Sequence, residues 1–253
     1  DMTGSEVTAQ LTAAWGNTVA RLCIGLRRLG TGGCLLITDT AKPELLQAKY
    51  KVSYTRVQDA MILQVMDAAY STQIGQDRFD SEEDAIPLDD VIEEHLAIAD
   101  ADDPEDELAG AAQVVTSFAS ADGLVLLTRL LAVKAFGVKL RSTAPIGVVY
   151  DGHDFSRIGK RARSISPSRF GTRHTSLMSY CREDPDAMGL VVSQDGNVRM
   201  ILTESGSLTM WEDVRLLEYR DDWLRYLRDE ETREARRSSG ALPRQRGYTS
   251  LPK

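Results

Sequence analysis

Residues 107–128 read ELAGAAQVVTSFASADGLVLLT, and this stretch decides the fold. Its first part, 106–119, predicts a helix whose many small side chains suit close packing against a sheet. Ala121–Asp122–Gly123 breaks that helix, and GLVLLT (123–128) follows at once as an apolar, β-type run. A helix that turns directly into a buried strand is the repeating unit of α/β proteins.

The same alternation continues on both sides. Upstream, Val7, Leu11, Trp15, Val19, Leu22 and Leu26 recur at threes and fours, predicting a helix over 5–29. Gly30, Gly32 and Gly33 end it, and CLLIT (34–38) reads as a short buried strand. Pro43 marks a turn before an extended piece around Tyr50–Tyr54, and a helix is expected over 56–70. Downstream, Leu130–Lys134 and Phe136–Leu140 read as short strands or a hairpin. Residues 155–170 are basic and Ser-rich and read as a loop. A helix is expected from about Thr175 to Arg182. GLVVS (189–193), an Asp-Gly turn and VRMIL (198–202) form a hairpin, and SLTMW (207–211) follows Ser205–Gly206. The fold class is therefore α/β, a single domain with a central mixed sheet flanked by helices. That domain spans 5–215, and 216–253 is expected to be a C-terminal helix and flexible basic tail.

Charge is distributed unevenly. The segment 77–107 holds fifteen acids and one base, a local charge of −14, which leaves +6 for the rest of a chain whose net charge is −8. The segment reads as a solvated acidic insert with loop-like flanks, and His95 within it as solvated. A mildly basic body suits a nucleotide ligand and gives no argument for nucleic acid. No apolar run approaches the ~20 residues needed to span a membrane, and the first residues lack a basic-then-apolar leader pattern. The three cysteines (Cys23, Cys34 and Cys181) are far apart and fit neither a zinc spacing nor a paired disulfide framework. Free buried thiols in a cytoplasmic protein are expected.

Two segments carry groups suited to chemistry. GTRHTS (171–176) places Arg173, His174 and the hydroxyls of Thr172, Thr175 and Ser176 behind Gly171. Such a run is either a polar surface turn or a cradle for a polyanion such as a triphosphate. Asp122, beside Gly123, is either a surface Asp-Gly turn or a carboxylate presented in a cleft, able to bind a divalent metal or a sugar hydroxyl. Together, one acid and one Arg/His/hydroxyl cluster form the minimal equipment for phosphoryl or nucleotidyl transfer. Neither a P-loop nor a dinucleotide fingerprint in its strand–helix setting is present. His153, between Asp151 and Asp154, reads as part of a polar surface loop, with metal binding the other reading.

ADGLVLL, then GTRHTS, a short helix and DAMGLVVSQDGNVRMI resemble the DAC (diadenylate cyclase, DisA N-terminal-like) domain family. GTGGCLLIT near the N-terminus is similar to a DAC-related branch of nucleotide sensors in bacterial signalling. The resemblance covers about 105–205, or 20–215 with the N-terminal strand. It implies a nucleotidyltransferase that condenses two ATP into cyclic di-AMP and releases pyrophosphate, with Mg²⁺ or Mn²⁺, in a face-to-face homodimer or larger homo-oligomer. It assigns catalysis to Asp122, Gly123 and His174, and metal contact to Asp122 and His174. Phosphates would be held by Gly171, Thr172, Arg173, His174, Thr175 and Ser176. Leu124, Phe136, Gly137 and Val138 would meet the nucleotide, with Phe136–Lys139 near the adenine. Two positions depart from the family pattern. Leu124 stands in place of an Ala, and Thr175 in place of a second Arg, which removes one charged phosphate contact of roughly 1.5–3 kcal/mol. Arg169 or Arg163 is a candidate to replace that charge. The alternative implied is a weakened DAC-like sensor that binds ATP or a cyclic dinucleotide without turnover.

Overall fold

The computed structural model describes residues 4–66, 104–119, 121, 123–157 and 163–214. All of them lie within the compact unit Asp1–Val214. In chain order these are α1 (Gly4–Leu29), β1 (Gly33–Ile37), β2 (Leu46–Tyr54), α2 (helical residues 56–66), α3 (Pro104–Phe118), β3 (Leu124–Leu127) and β4 (Val133–Leu140). There follow β5 (Val149–Asp151), β6 (Ser164–Ile165), α4 (Thr172–Glu183), β7 (Met188–Val192), β8 (Val198–Glu204) and β9 (Ser207–Trp211).

The strands form one nine-stranded sheet in the order β2-β4-β3-β1-β7-β8-β9-β5-β6. It is mixed. β1 runs parallel to β3 and antiparallel to β7, and β5 runs parallel to β9. With helices packed on the sheet, the α/β class expected from the alternating pattern holds.

β1 explains why the sheet has helices on both faces. All five of its residues are buried, and in a strand alternate side chains point to opposite faces. Cys34 and Leu36 join Leu124, Val191 and Ile201 beneath Leu177, Met178 and Cys181 of α4. Leu35 and Ile37 therefore face the other side, where α1 and α3 pack together. Where α1 meets α3, the small residue at the contact is Gly25 of α1. A Cβ at Gly25 of α1 would stand 2.5 Å from the Thr116 methyl of α3.

Several boundaries differ from the sequence expectation. Leu130–Lys134 and Phe136–Leu140 are not two pieces. A turn closed by Ala132 N–H on the Thr128 hydroxyl (3.0 Å) leads into the single strand β4. The basic stretch read wholly as loop contains β6, paired antiparallel with β5. The end of the acidic segment is not loop either. Helix α3 starts at Pro104, and Glu105, Asp106 and Glu107 occupy its first turn, where Pro and acidic side chains suit the helix start. Glu105 pairs with Arg21 of α1, and Glu107 binds Arg56 at 2.6 Å. The rest of the acidic insert with His95, the remainder of the helix expected over 56–70, and the C-terminal helix and tail lie outside the described residues. No helix among the described residues is long and apolar enough to cross a membrane.

The far end of α4 is fixed by a buried carboxylate. Asp184, 3% exposed, accepts hydrogen bonds from the hydroxyls of Thr38 (3.0 Å) and Thr40 (2.9 Å) just beyond β1. The helix is thereby tied at its C-terminus to one end of the sheet. Its N-terminus reaches the other.

Candidate functional site

GTRHTS does not precede the helix as a turn; it is the start of the helix. Gly171 is the N-cap of α4, and Thr172 through Ser176 form its first turns. The Gly171 carbonyl accepts from the amides of His174 (3.1 Å) and Thr175 (3.2 Å). No side chain caps this end, so the positive pole of the helix dipole faces outward, an arrangement that favours anions. Thr172 and Arg173 are exposed, while His174, Thr175 and Ser176 are half-buried. The Thr175 hydroxyl turns back onto its own helix and donates to the Thr172 carbonyl at 3.1 Å.

His174 sits in a basic corner. Its Nε2 lies 3.5 Å from an Nη of Arg199, and its ring lies 5.2 Å from that of Phe170. Burial, then the charges of Arg199 and Arg173, hold the imidazole down to about 4, so it is neutral at pH 7. Arg199 comes from β8. Its side chain is 17% exposed and lies over the Phe170 ring at 5.6 Å. The same Nη donates to the Ser193 hydroxyl at 3.2 Å. The field of Arg173 reaches Cys34 beneath the helix. Burial pushes that thiol up to about 11, and Arg173 pulls against the shift.

Sequence reading missed Arg199. The only local signal was a charge in an otherwise apolar strand, VRMIL. Register explains the contact, because Arg199 pairs with Val191 next to the Ser193–Asn197 turn, level with the start of α4. Of the expected substitutes, Arg169 shares this corner, lying over the same Phe170 ring at 5.6 Å, whereas Arg163 faces Asp151. Arg169 lies 3.6 Å from Glu212, and Arg163 lies 3.9 Å from Asp151.

The second segment reaches the same end of the sheet. Leu35 is level with Val125 on β3 and with Leu190 on β7. The beginnings of β1 and β3 and the end of β7 therefore lie together. Gly123 opens β3 there with φ +123°. A Cβ at this position would stand 2.6 Å from the Gly137 carbonyl carbon and 2.8 Å from Val138 N. The close approach that needs Gly123 is thus to the backbone of β4. Asp122 itself lies outside the described residues.

The residues expected to meet the nucleotide pack within the chain. Leu124 is 5% exposed and points into the core under α4, level with Val138, which is also buried. Gly137 is buried between the strands. Phe136 stacks on Tyr50 at 4.7 Å and on Phe118 at 4.6 Å, so its ring already has two aromatic partners within this chain.

Of the two residues expected to contact a metal, His174 is described and Asp122 is not. The described residues contain no group of three or more His, Cys, Asp or Glu side chains placed to hold an ion. His174 presents Nε2 to a guanidinium, which opposes a cation there. His153 bonds the Glu212 carbonyl oxygen through Nε2 at 2.6 Å, and its amide donates to Asp151 at 3.0 Å, as a polar surface loop requires. All three cysteines are buried and free. At the opposite end of the sheet lies a mostly apolar cavity of about 380 Å³ beside Trp15, Ile37 and Met188; it contains none of the expected site residues.

The geometry therefore unites Arg173 and His174 with Arg199, and places them at the sheet end where Gly123 begins β3. No model of a known protein family matches the chain, and no curated protein matches it, so the site geometry itself carries the functional reading.

Proposed function

We propose that the chain is a DAC-like nucleotide-binding protein that condenses two ATP into cyclic di-AMP with release of pyrophosphate. The observation that supports this best is the gathering of Arg173, His174 and Arg199 at the uncapped start of α4, level with the start of β3. Two guanidinium groups and a helix N-terminus offset the charge of a triphosphate. A neutral imidazole beside them donates or accepts a hydrogen bond without adding charge.

In this reading Asp122, next in the chain to Gly123, assists the ribose 3′-hydroxyl of one ATP. That oxygen attacks the α-phosphate of the ATP held by a second copy of the chain, and pyrophosphate leaves. The reciprocal attack closes the ring, so the active form is a face-to-face homodimer. A Mg²⁺ or Mn²⁺ ion bound with ATP supplies charge neutralisation on the phosphates. The described residues offer no complete donor set for it, and its ligands would come from Asp122 and the phosphates themselves. Cytoplasmic ATP is the substrate pool, with no role for nucleic acid or membrane.

A second reading is a sensor that binds ATP or a cyclic dinucleotide without turnover. It is favoured by Thr175, whose hydroxyl bonds the Thr172 carbonyl of its own helix and brings no charge to the phosphates. Incubation with ATP and Mn²⁺, followed by mass spectrometry, separates the two. Cyclic di-AMP that disappears in Asp122→Asn supports the cyclase. Binding by calorimetry with no product at high protein concentration supports the sensor. Absence of both product and binding sinks both.

A further inference from the structure

We propose that Arg199 is a phosphate-binding residue that grips an incoming polyanion together with Arg173; this rests on the nucleotide-site reading above and names the chain's own second cation for it. The Arg199 charge is only loosely matched by its neighbours. The side chain is 17% exposed, and its Nε is buried without a hydrogen-bond partner among the described residues. Its hydrogen bonds go to groups without charge, the Ser193 hydroxyl and the imidazole of His174. The facing carboxylate, Glu212, stands 4.0 Å from Nε and is shared with Arg169, which is nearer at 3.6 Å. A second acid of this corner, Asp195, is engaged by Ser193 and by Asn197 of its own turn.

A largely buried guanidinium whose paired carboxylate, Glu212, stands 4.0 Å away beyond hydrogen-bond distance is incompletely compensated, and a further anion would complete the pairing. Phosphate oxygens suit this need, because the guanidinium fork matches them in geometry and charge. Arg173, exposed on the adjacent helical turn, provides the other side of the grip. Arg199 is anchored on a central hairpin and lies against Phe170, so its guanidinium is held in place for an incoming anion.

The test uses the whole chain and two probes, inorganic tripolyphosphate and ATP, titrated by calorimetry at low salt. Arg199→Met is expected to weaken both at least tenfold while melting remains cooperative. Thr175→Arg added to Arg199→Met returns a guanidinium beside His174 and is expected to recover most of the loss. A folded Arg199→Met that binds both probes within twofold of the parent overturns the proposal. Should that variant fail to fold, the Arg199 Nε–H resonance of the parent protein is followed during tripolyphosphate addition, and a resonance that stays put overturns it equally. Arg199-dependent binding of tripolyphosphate with no binding of ATP upholds the anion grip and rejects the nucleotide reading. No binding of either probe rejects both.

Discussion

Gly123 and Gly137 meet backbone to backbone, and a single added methyl group at position 123 would stand 2.6 Å from the Gly137 carbonyl carbon. Gly123 also holds φ +123°, a region that side chains disfavour. Gly123→Ala therefore combines backbone strain with overpacking between β3 and β4, and is expected to cost about 3 kcal/mol. Urea denaturation measures this directly. A variant with an unchanged midpoint would show that the two strands separate at little cost.

Asp184 predicts a different kind of loss. Its carboxylate is buried and holds the hydroxyls of Thr38 and Thr40. Asp184→Ala leaves both hydroxyls short of an acceptor and frees the end of α4, for an expected cost of about 3 kcal/mol. Asp184→Asn retains an acceptor oxygen and is expected to lose less. Equal melting temperatures for the two variants would contradict the assigned bonds.

His174 makes stability depend on pH in a defined direction. In the unfolded chain its imidazole titrates normally, near 6.5, whereas burial and the Arg199 and Arg173 charges hold it down to about 4 in the fold. Between these values the unfolded chain binds a proton that the folded chain refuses. Stability is therefore complete above pH 6.5 and falls as pH drops toward 4. His174→Gln is expected to flatten that part of the curve, measured as urea midpoints from pH 7 to 4. A bound polyanion opposes the arginine charges, so tripolyphosphate is expected to raise the His174 titration midpoint in NMR.

The cysteines are expected to be silent. Burial pushes Cys34 up to about 11 and Cys23 and Cys181 to about 12, so at pH 8 all three remain thiols shielded from solvent. A disulfide reagent should titrate none in the native protein within minutes and all three in denaturant. Rapid labelling of Cys34 in the native state would mean that the sheet opens at β1.

The fold was more legible than the site. Apolar spacing located α1, β1, β3 and the β7–β8 hairpin because each buries a face with regular periodicity. β5 and β6 escaped, since three and two residues carry too little pattern to register. The start of α4 escaped for another reason. Thr, His and Ser are weak helix formers, and Gly171 caps without a side-chain signal. Its polar run therefore read as a turn. Arg173 and His174 were singled out by local composition. Arg199 could not be, because its role arises from strand register and from a helix start 25 residues away. The stacking of Phe136 on Tyr50 and Phe118 was not legible because it joins elements far apart in the chain.

The position of β1 has a consequence for synthesis on the ribosome. This wholly apolar strand is made before both of its neighbours, β3, some ninety residues later, and β7, later still. Until residue 192 has emerged, at least one hydrogen-bonding edge of β1 has no native neighbour. Pairings over such separations form slowly, and an exposed edge of this composition invites association with other chains. Nascent chains that stop before β7 are therefore expected to depend on chaperones, whereas those that reach β8 enclose β1 completely.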